Sequence, residues 1–224
     1  MFNFDFDIAH KMQEISIIAV PLLLSLVCHE VAHGLVALKL GDPTAKMQGR
    51  LTLNPIKHLD PIGTIAFFFV HIGWARPVPV DSRYFKDSRK GMFLVALAGP
   101  AANFLLAVLF AAGFHLIQGS EISDPDGLAM KILLPLLLIC QAGVFVNLIL
   151  GVFNLIPLPP LDGSSILAYF LPPRLAYSYM RLRQYGFFIL IGLVLLGNLT
   201  GFSILGAVLF PPVRFLGGLL NVPI

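Results

Sequence analysis

The sequence predicts an all-α polytopic membrane protein with about five transmembrane helices and a short re-entrant or β hairpin between the first and second. Three observations carry this. Of 224 residues, 57% are hydrophobic and only 12% charged, with mean hydropathy +0.86, a balance outside the soluble globular range. Several apolar runs reach the roughly 20 residues that a helix needs to cross a bilayer. The polar segments between them are each under about 25 residues, too short for a separate soluble domain, so residues 1–224 are read as one membrane-embedded domain. The net charge of +3 is modest. Its basic residues cluster between apolar runs, as topology signals do and a nucleic-acid patch does not. Cys28 and Cys140 both fall in apolar runs and are read as free thiols. Residues 1–14 hold Asp5, Asp7 and Glu14 without a basic leader, so no cleavable signal peptide is expected.

In chain order, residues 1–14 alternate Phe2, Phe4, Phe6 and Ile8 with polar residues and suit either a surface-lying lead or an edge strand. Residues 15–40 form the first span, closed by Gly41-Asp42-Pro43. Residues 44–90 form a cytoplasmic loop with the re-entrant hairpin inside it. Met47 to Leu53 has the pattern of a short strand, and Asn54 to Pro61 is turn-forming. Residues 62–74 are apolar but too short to cross. The segments on both sides are basic, so a crossing there would put one of them outside. Non-helical backbone at that depth must line a wet cavity or be buried in protein.

Residues 91–117 are the second full span. The acidic segment 118–127, free of Lys and Arg, should face outward. The third span is expected over 128–156, and the segment 128–163 ends in Asp162-Gly163 after the helix breaks at Pro157, Pro159 and Pro160. Residues 172–184, with Arg174, Arg181 and Arg183, read as another cytoplasmic loop. Residues 185–220 read as two C-terminal helices.

Candidate chemistry lies in the first span, at Cys28-His29-Glu30-Val31-Ala32-His33-Gly34. Four residues apart, His29 and His33 share one helical face, the spacing that lets two imidazoles hold one Zn²⁺. Glu30 is not on that face but is near enough to act as general base toward a water at the metal. Two histidines and a glutamate inside an apolar helix are costly and mark a functional site.

A catalytic zinc takes a third protein ligand, and Asp162 is the best candidate. It follows the prolines at the end of an apolar helix, and it reads either as that ligand or as a capping residue before Gly163 and Ser164. Asn103 is suited to bonding a neighbouring helix or a substrate backbone. His58 reads as polar loop or as support for the site. His71 could bind substrate, restrain the metal or simply pack.

These residues resemble the site-2 protease family of intramembrane zinc metalloproteases (peptidase family M50), in a short form without a PDZ domain. The resemblance rests on His29-Glu30-Val31-Ala32-His33-Gly34 followed by Asn154-Leu155-Ile156-Pro157-Leu158-Pro159-Pro160-Leu161-Asp162-Gly163. Between them Asn54-Pro55 to Gly63, Gly73-Trp74-Ala75-Arg76-Pro77-Val78-Pro79-Val80, and Ala98-Gly99-Pro100 to Asn103 also look like that family.

The resemblance implies one zinc per chain on His29, His33 and Asp162, with Glu30 as base and Asn154 near the scissile carbonyl. It implies a metalloendopeptidase whose substrates are transmembrane helices of membrane-anchored proteins. The topology places it as a multi-pass protein of the cell membrane with the site toward the cytoplasm. Self-association is left open. The rival class is a transporter or ion-conducting protein, with His29, Glu30, His33, Asn103, Asn154 and Asp162 lining a polar pathway. A metal-binding pseudoprotease acting as an adaptor is a third.

Overall fold

The computed structural model describes residues 4–61, 63, 75–120 and 127–224. Among these the chain is helical: α1 (Phe4–Lys39), α2 (Thr44–Met47), α3 (Ser88–Gln118), α4 (Leu128–Asn154), α5 (Asp162–Phe170), α6 (Pro173–Met180), α7 (Arg183–Thr200) and α8 (Ile204–Leu219). Four stretches are long and apolar enough to cross a membrane: Ile15–Lys39, α3, α4 and α7. The protein is therefore a multi-pass membrane protein. α8, the expected fifth, is an apolar helix of 16 residues. At 1.5 Å per residue it reaches about 24 Å, short of the ~30 Å hydrocarbon core.

The centre is a three-helix contact in which α3 packs on both α1 and α4, and α1 packs on α4. Lipid is as apolar as leucine, so these helices associate through close packing and interhelical hydrogen bonds. Gly143 of α4 faces the Phe110 ring and Gly151 faces Phe104, each where a Cβ would meet the ring. Ala107, Ala111 and Phe114 of α3 close on Val144 and Leu148 of α4, and Val213 of α8 and Val222 complete the cluster. The large aliphatic residues left exposed, such as Leu105, Leu109 and Leu196, suit a surface facing lipid.

Several boundaries differ from the sequence reading. The lead is not a strand: α1 runs unbroken from Phe4. Met47 to Leu53 is not a strand either, but the end of α2 and a bend. The third span stops at Asn154, two residues before the expected end at 156. Three prolines in four residues cannot donate to a helix, so 155–161 is a turn and Asp162 opens a new helix. The expected loop 172–184 contains α6, started by Pro173 at its first position. The two C-terminal helices are present, separated at Gly201 in the left-handed region, φ +71.

The hairpin expected at 62–74 lies outside the described residues. Its flanks are joined, by an antiparallel bridge between Leu59 and Ala75 and by the Arg76 N–H donating to the His58 carbonyl at 2.7 Å.

The turn that presents Asp162 is supported from three sides. Tyr179 Oη–H donates to the Pro157 carbonyl at 2.6 Å. The backbone of Gly186 lies against Pro159. Gly163 sits under the carbonyls of Leu155 and Ile156, where any Cβ would overlap. Gly163→Ala should therefore push α5 away from the end of α4 and cost about 1–3 kcal/mol, read as a lowered thermal midpoint in detergent. An unchanged midpoint would show that the turn is not closed at this residue.

Candidate metal centre

His29 and His33 lie on successive turns of α1, six to ten residues before Lys39, or roughly 9–15 Å from the helix end at 1.5 Å per residue. α5 brings Asp162 onto the same point. His29 Nε2 and His33 Nε2 are 3.0 Å apart, and Asp162 Oδ2 is 3.2 Å from the first and 3.3 Å from the second. The three atoms form a near-equilateral triangle. Gly99 of α3 covers it, and a Cβ there would come within 2.5 Å of His29 Cε1 and of His33 Cε1 and Nε2.

The hydrogen bonds behind the imidazoles decide what the triangle is. His33 Nδ1–H donates to the Val95 carbonyl at 2.6 Å. A carbonyl only accepts, so Nδ1 carries the proton and neutral His33 turns a bare lone pair inward at Nε2. His29 Nδ1–H donates to Asn103 Oδ1 at 2.7 Å. The Asn103 amide is oriented by its other end, where Nδ2 donates to Asn147 Oδ1 at 3.1 Å and toward the Ser25 carbonyl at 3.4 Å. Asn147 is oriented in turn by donating to the Gly143 carbonyl at 2.8 Å. His29 Nε2 is thus a lone pair as well.

Asp162 Oδ2 is buried and has no hydrogen-bond partner among the described residues. With both imidazoles neutral, three acceptors converge with no proton to share. A cation resolves that repulsion. Tetrahedral Zn²⁺ with ~2.0–2.2 Å bonds sets its ligands about 3.3–3.5 Å apart, close to the spacing found here. The donor set of two imidazoles and one carboxylate, with a fourth position left over, is that of catalytic zinc sites. His29, His33 and Asp162 can hold such an ion.

Glu30, next to His29, is half-buried, and its Oε2 accepts the Val78 N–H at 2.7 Å. Pro77 and Pro79 have no N–H, so within 77–79 this donor is the sole one. The stretch is braced by Arg50, whose Nη2–H donates to the Arg76 carbonyl at 2.6 Å. Arg50 is 5% exposed. Burial pushes its guanidinium below the usual range, the Arg76 charge adds to that, and Glu30 opposes it. Its Nε has no partner among the described residues. His58 is buried behind this strip and its Nε2–H donates to the Thr52 carbonyl at 2.9 Å.

The structure thus brings His29, His33 and Asp162 together, with Glu30 beside them in sequence. Asn103 is fully buried and spends its amide on His29 and Asn147, so it backs the site and faces no open path. Asn154 ends α4, with Nδ2 donating to the Leu150 carbonyl at 3.0 Å. His71 lies outside the described residues. Sequence reasoning missed Arg50, Val78 and Asn147. The one available signal was Asn147, a lone amide inside an apolar run, where polar groups seek interhelical partners.

The chain matches the model of peptidase family M50 over residues 17–141 and 119–197. It is 44% identical over 172 residues to the Bacillus subtilis protein named "Putative zinc metalloprotease YwhC", covering 77% of each chain. It is 30% identical over 183 residues to Rip2 of Mycolicibacterium smegmatis, covering 77% of this chain and 64% of Rip2. With "Zinc metalloprotease MJ0392" of Methanocaldococcus jannaschii it shares 28% identity over 166 residues, spanning 37% of that protein. No solved structure matches the chain.

Removing the bond behind His29 should be felt at the metal. Asn103→Leu is expected to weaken zinc binding by about 10–100-fold, measured by competition with a chromogenic chelator, while Asn154→Ala leaves it unchanged. Equal affinity in the Asn103 variant and the wild type would show that the bond does not orient His29.

Proposed function

Because this chain belongs to peptidase family M50, we propose that it is a zinc-dependent endopeptidase that cuts peptide bonds in or near the transmembrane helices of membrane-anchored proteins. The observation that carries the reading is the triangle of His29 Nε2, His33 Nε2 and Asp162 Oδ2, 3.0 to 3.3 Å apart.

In this reading His29, His33 and Asp162 hold one zinc ion. Bound there, the ion supplies Lewis acidity toward the scissile carbonyl and lowers the pKa of water toward about 7. The chain's own residues do the rest. Glu30, with Oε2 held by the Val78 N–H, keeps Oε1 for proton transfer. It takes a proton from the attacking water as the hydroxyl adds to the carbonyl carbon. It then delivers that proton to the amine as the C–N bond breaks. Asn154 retains one amide N–H for the developing oxyanion, and Asn103 keeps the His29 ring in register.

Topology supports a cytoplasmic location for the site in the cell membrane. The basic residues of 44–61 and 75–90, and Arg174, Arg181 and Arg183, all sit on segments at the His33 end of the bundle. Against a conduction pathway stands the burial of Asn103 and Asn147: their amides are bonded to each other and line no lumen.

Two variants divide metal binding from chemistry. Asp162→Ala should lose zinc. Glu30→Gln should keep about one zinc per chain while cleavage of a single-span substrate in proteoliposomes falls by about 10²–10⁴-fold. Cleavage by Glu30→Gln at the wild-type rate would remove Glu30 as the base, and zinc retained by Asp162→Ala would remove the third ligand.

Arg50 is a positioning residue in this scheme. Arg50→Met should lower kcat about tenfold with KM and zinc content unchanged, and Arg50→Lys should restore part of the loss by donating to the Arg76 carbonyl. An unchanged kcat in Arg50→Met would leave the 76–78 strip standing without it.

A further inference from the structure

Where α1 ends and α3 begins, the chain leaves an open cavity of about 400 Å³. Its wall includes the apolar side chains of Leu40, Phe85 and Leu94, and its rim carries Lys39, Lys86 and Lys90. All three lysines are exposed, and none has a carboxylate partner among the described residues.

The nearby acids are already engaged. Asp87 Oδ1 accepts the N–H groups of Arg89 and Lys90, capping α3. Asp81 pairs with Arg83 at 2.6 Å. That guanidinium holds the Asp81 carboxyl below its usual range. Asp42 is buried and accepts from the backbone of Thr44 and Asp81. Asp87 also lines the opening and keeps its charge while capping α3, so three ammonium groups against one carboxylate leave a net positive field, which is a standing attraction for an anion.

Position decides which anion. Lys39 closes one candidate span and Ser88 opens another, so the cavity lies at the depth where hydrocarbon gives way to headgroups. A soluble phosphate has no use for walls of Leu40, Phe85 and Leu94. A phospholipid uses both parts, with its phosphodiester among the ammonium groups and an acyl chain running down the bundle. The exposed Leu35, one turn below Lys39 on α1, and the exposed Leu97, one turn below Leu94 on α3, continue the apolar track. We infer that this cavity binds the headgroup of an anionic phospholipid, distinct from the metal centre and independent of the peptidase reading. Basic pockets between spans are a recognised form of headgroup site.

Native mass spectrometry of the full chain in detergent, offered equal phosphatidylglycerol and phosphatidylcholine, tests this. The wild type should retain phosphatidylglycerol with a preference of about fivefold or more. Lys39→Gln/Lys86→Gln/Lys90→Gln should bring the two lipids to parity with zinc content unchanged. The corresponding triple substitution to arginine should keep the preference. If the glutamine triple also loses its metal, Lys86→Glu replaces it, at an exposed position outside every helix, and should at least halve the preference. Parity in the wild type would overturn the proposal, as would full preference in the glutamine triple. Displacement by excess inorganic phosphate as complete as by excess phosphatidylglycerol would assign the cavity to a free anion instead.

Discussion

With neutral imidazoles, His29 Nε2, His33 Nε2 and Asp162 Oδ2 repel one another until a cation sits among them, and in a low-dielectric bundle that repulsion is poorly screened. The fold spends much of its polar inventory on holding them together. The Val95 carbonyl and Asn103 fix the two imidazole tautomers. Asn147 fixes Asn103. Gly99 keeps the space free. Each of these sits on α3 or α4, which explains why these two helices pack so closely on α1.

The polar chain Gly143–Asn147–Asn103–His29 runs across three spans. In water such amides would exchange partners freely. Between apolar helices an unpaired amide costs several kcal/mol, so the network has one satisfied arrangement, and it points His29 inward. The same economy appears at Glu30, where a proline on either side of Val78 leaves one N–H in that stretch to hold the carboxylate.

Much of the site was legible because its logic is local. The i, i+4 histidines declare a shared face, and prolines before Asp162 declare a rigid turn. The helix end was read at 156 and lies at Asn154, because the apolar run continues through Leu155 and Ile156 up to the prolines. α8 is apolar but shorter than α7, a difference that composition alone does not reveal. Arg50 was read as a topology charge. Nothing in its neighbours shows that 5% of its surface stays exposed or that it reaches a carbonyl 26 residues away. Val78 acts through its backbone, which carries no side-chain signature at all.

The division of ligands between elements has a mechanical consequence. Two come from one continuous helix, so their spacing is fixed by α1 itself. The third comes 129 residues after His33, on a short helix whose approach depends on the 155–161 turn, the Tyr179 bond and contact with α3. Helices in lipid gain little from burying apolar faces against each other. A bond through a metal held by His29, His33 and Asp162 would then add to what holds α5 against α1. Arg89 donates to the carbonyls of Ala168, Tyr169 and Leu171 at the far end of α5, while Phe93 stacks on Tyr169 at 4.7 Å. α5 is therefore anchored at its C-terminal end by α3 and at its N-terminal end by the 155–161 turn, and a metal at Asp162 would add a direct link to α1.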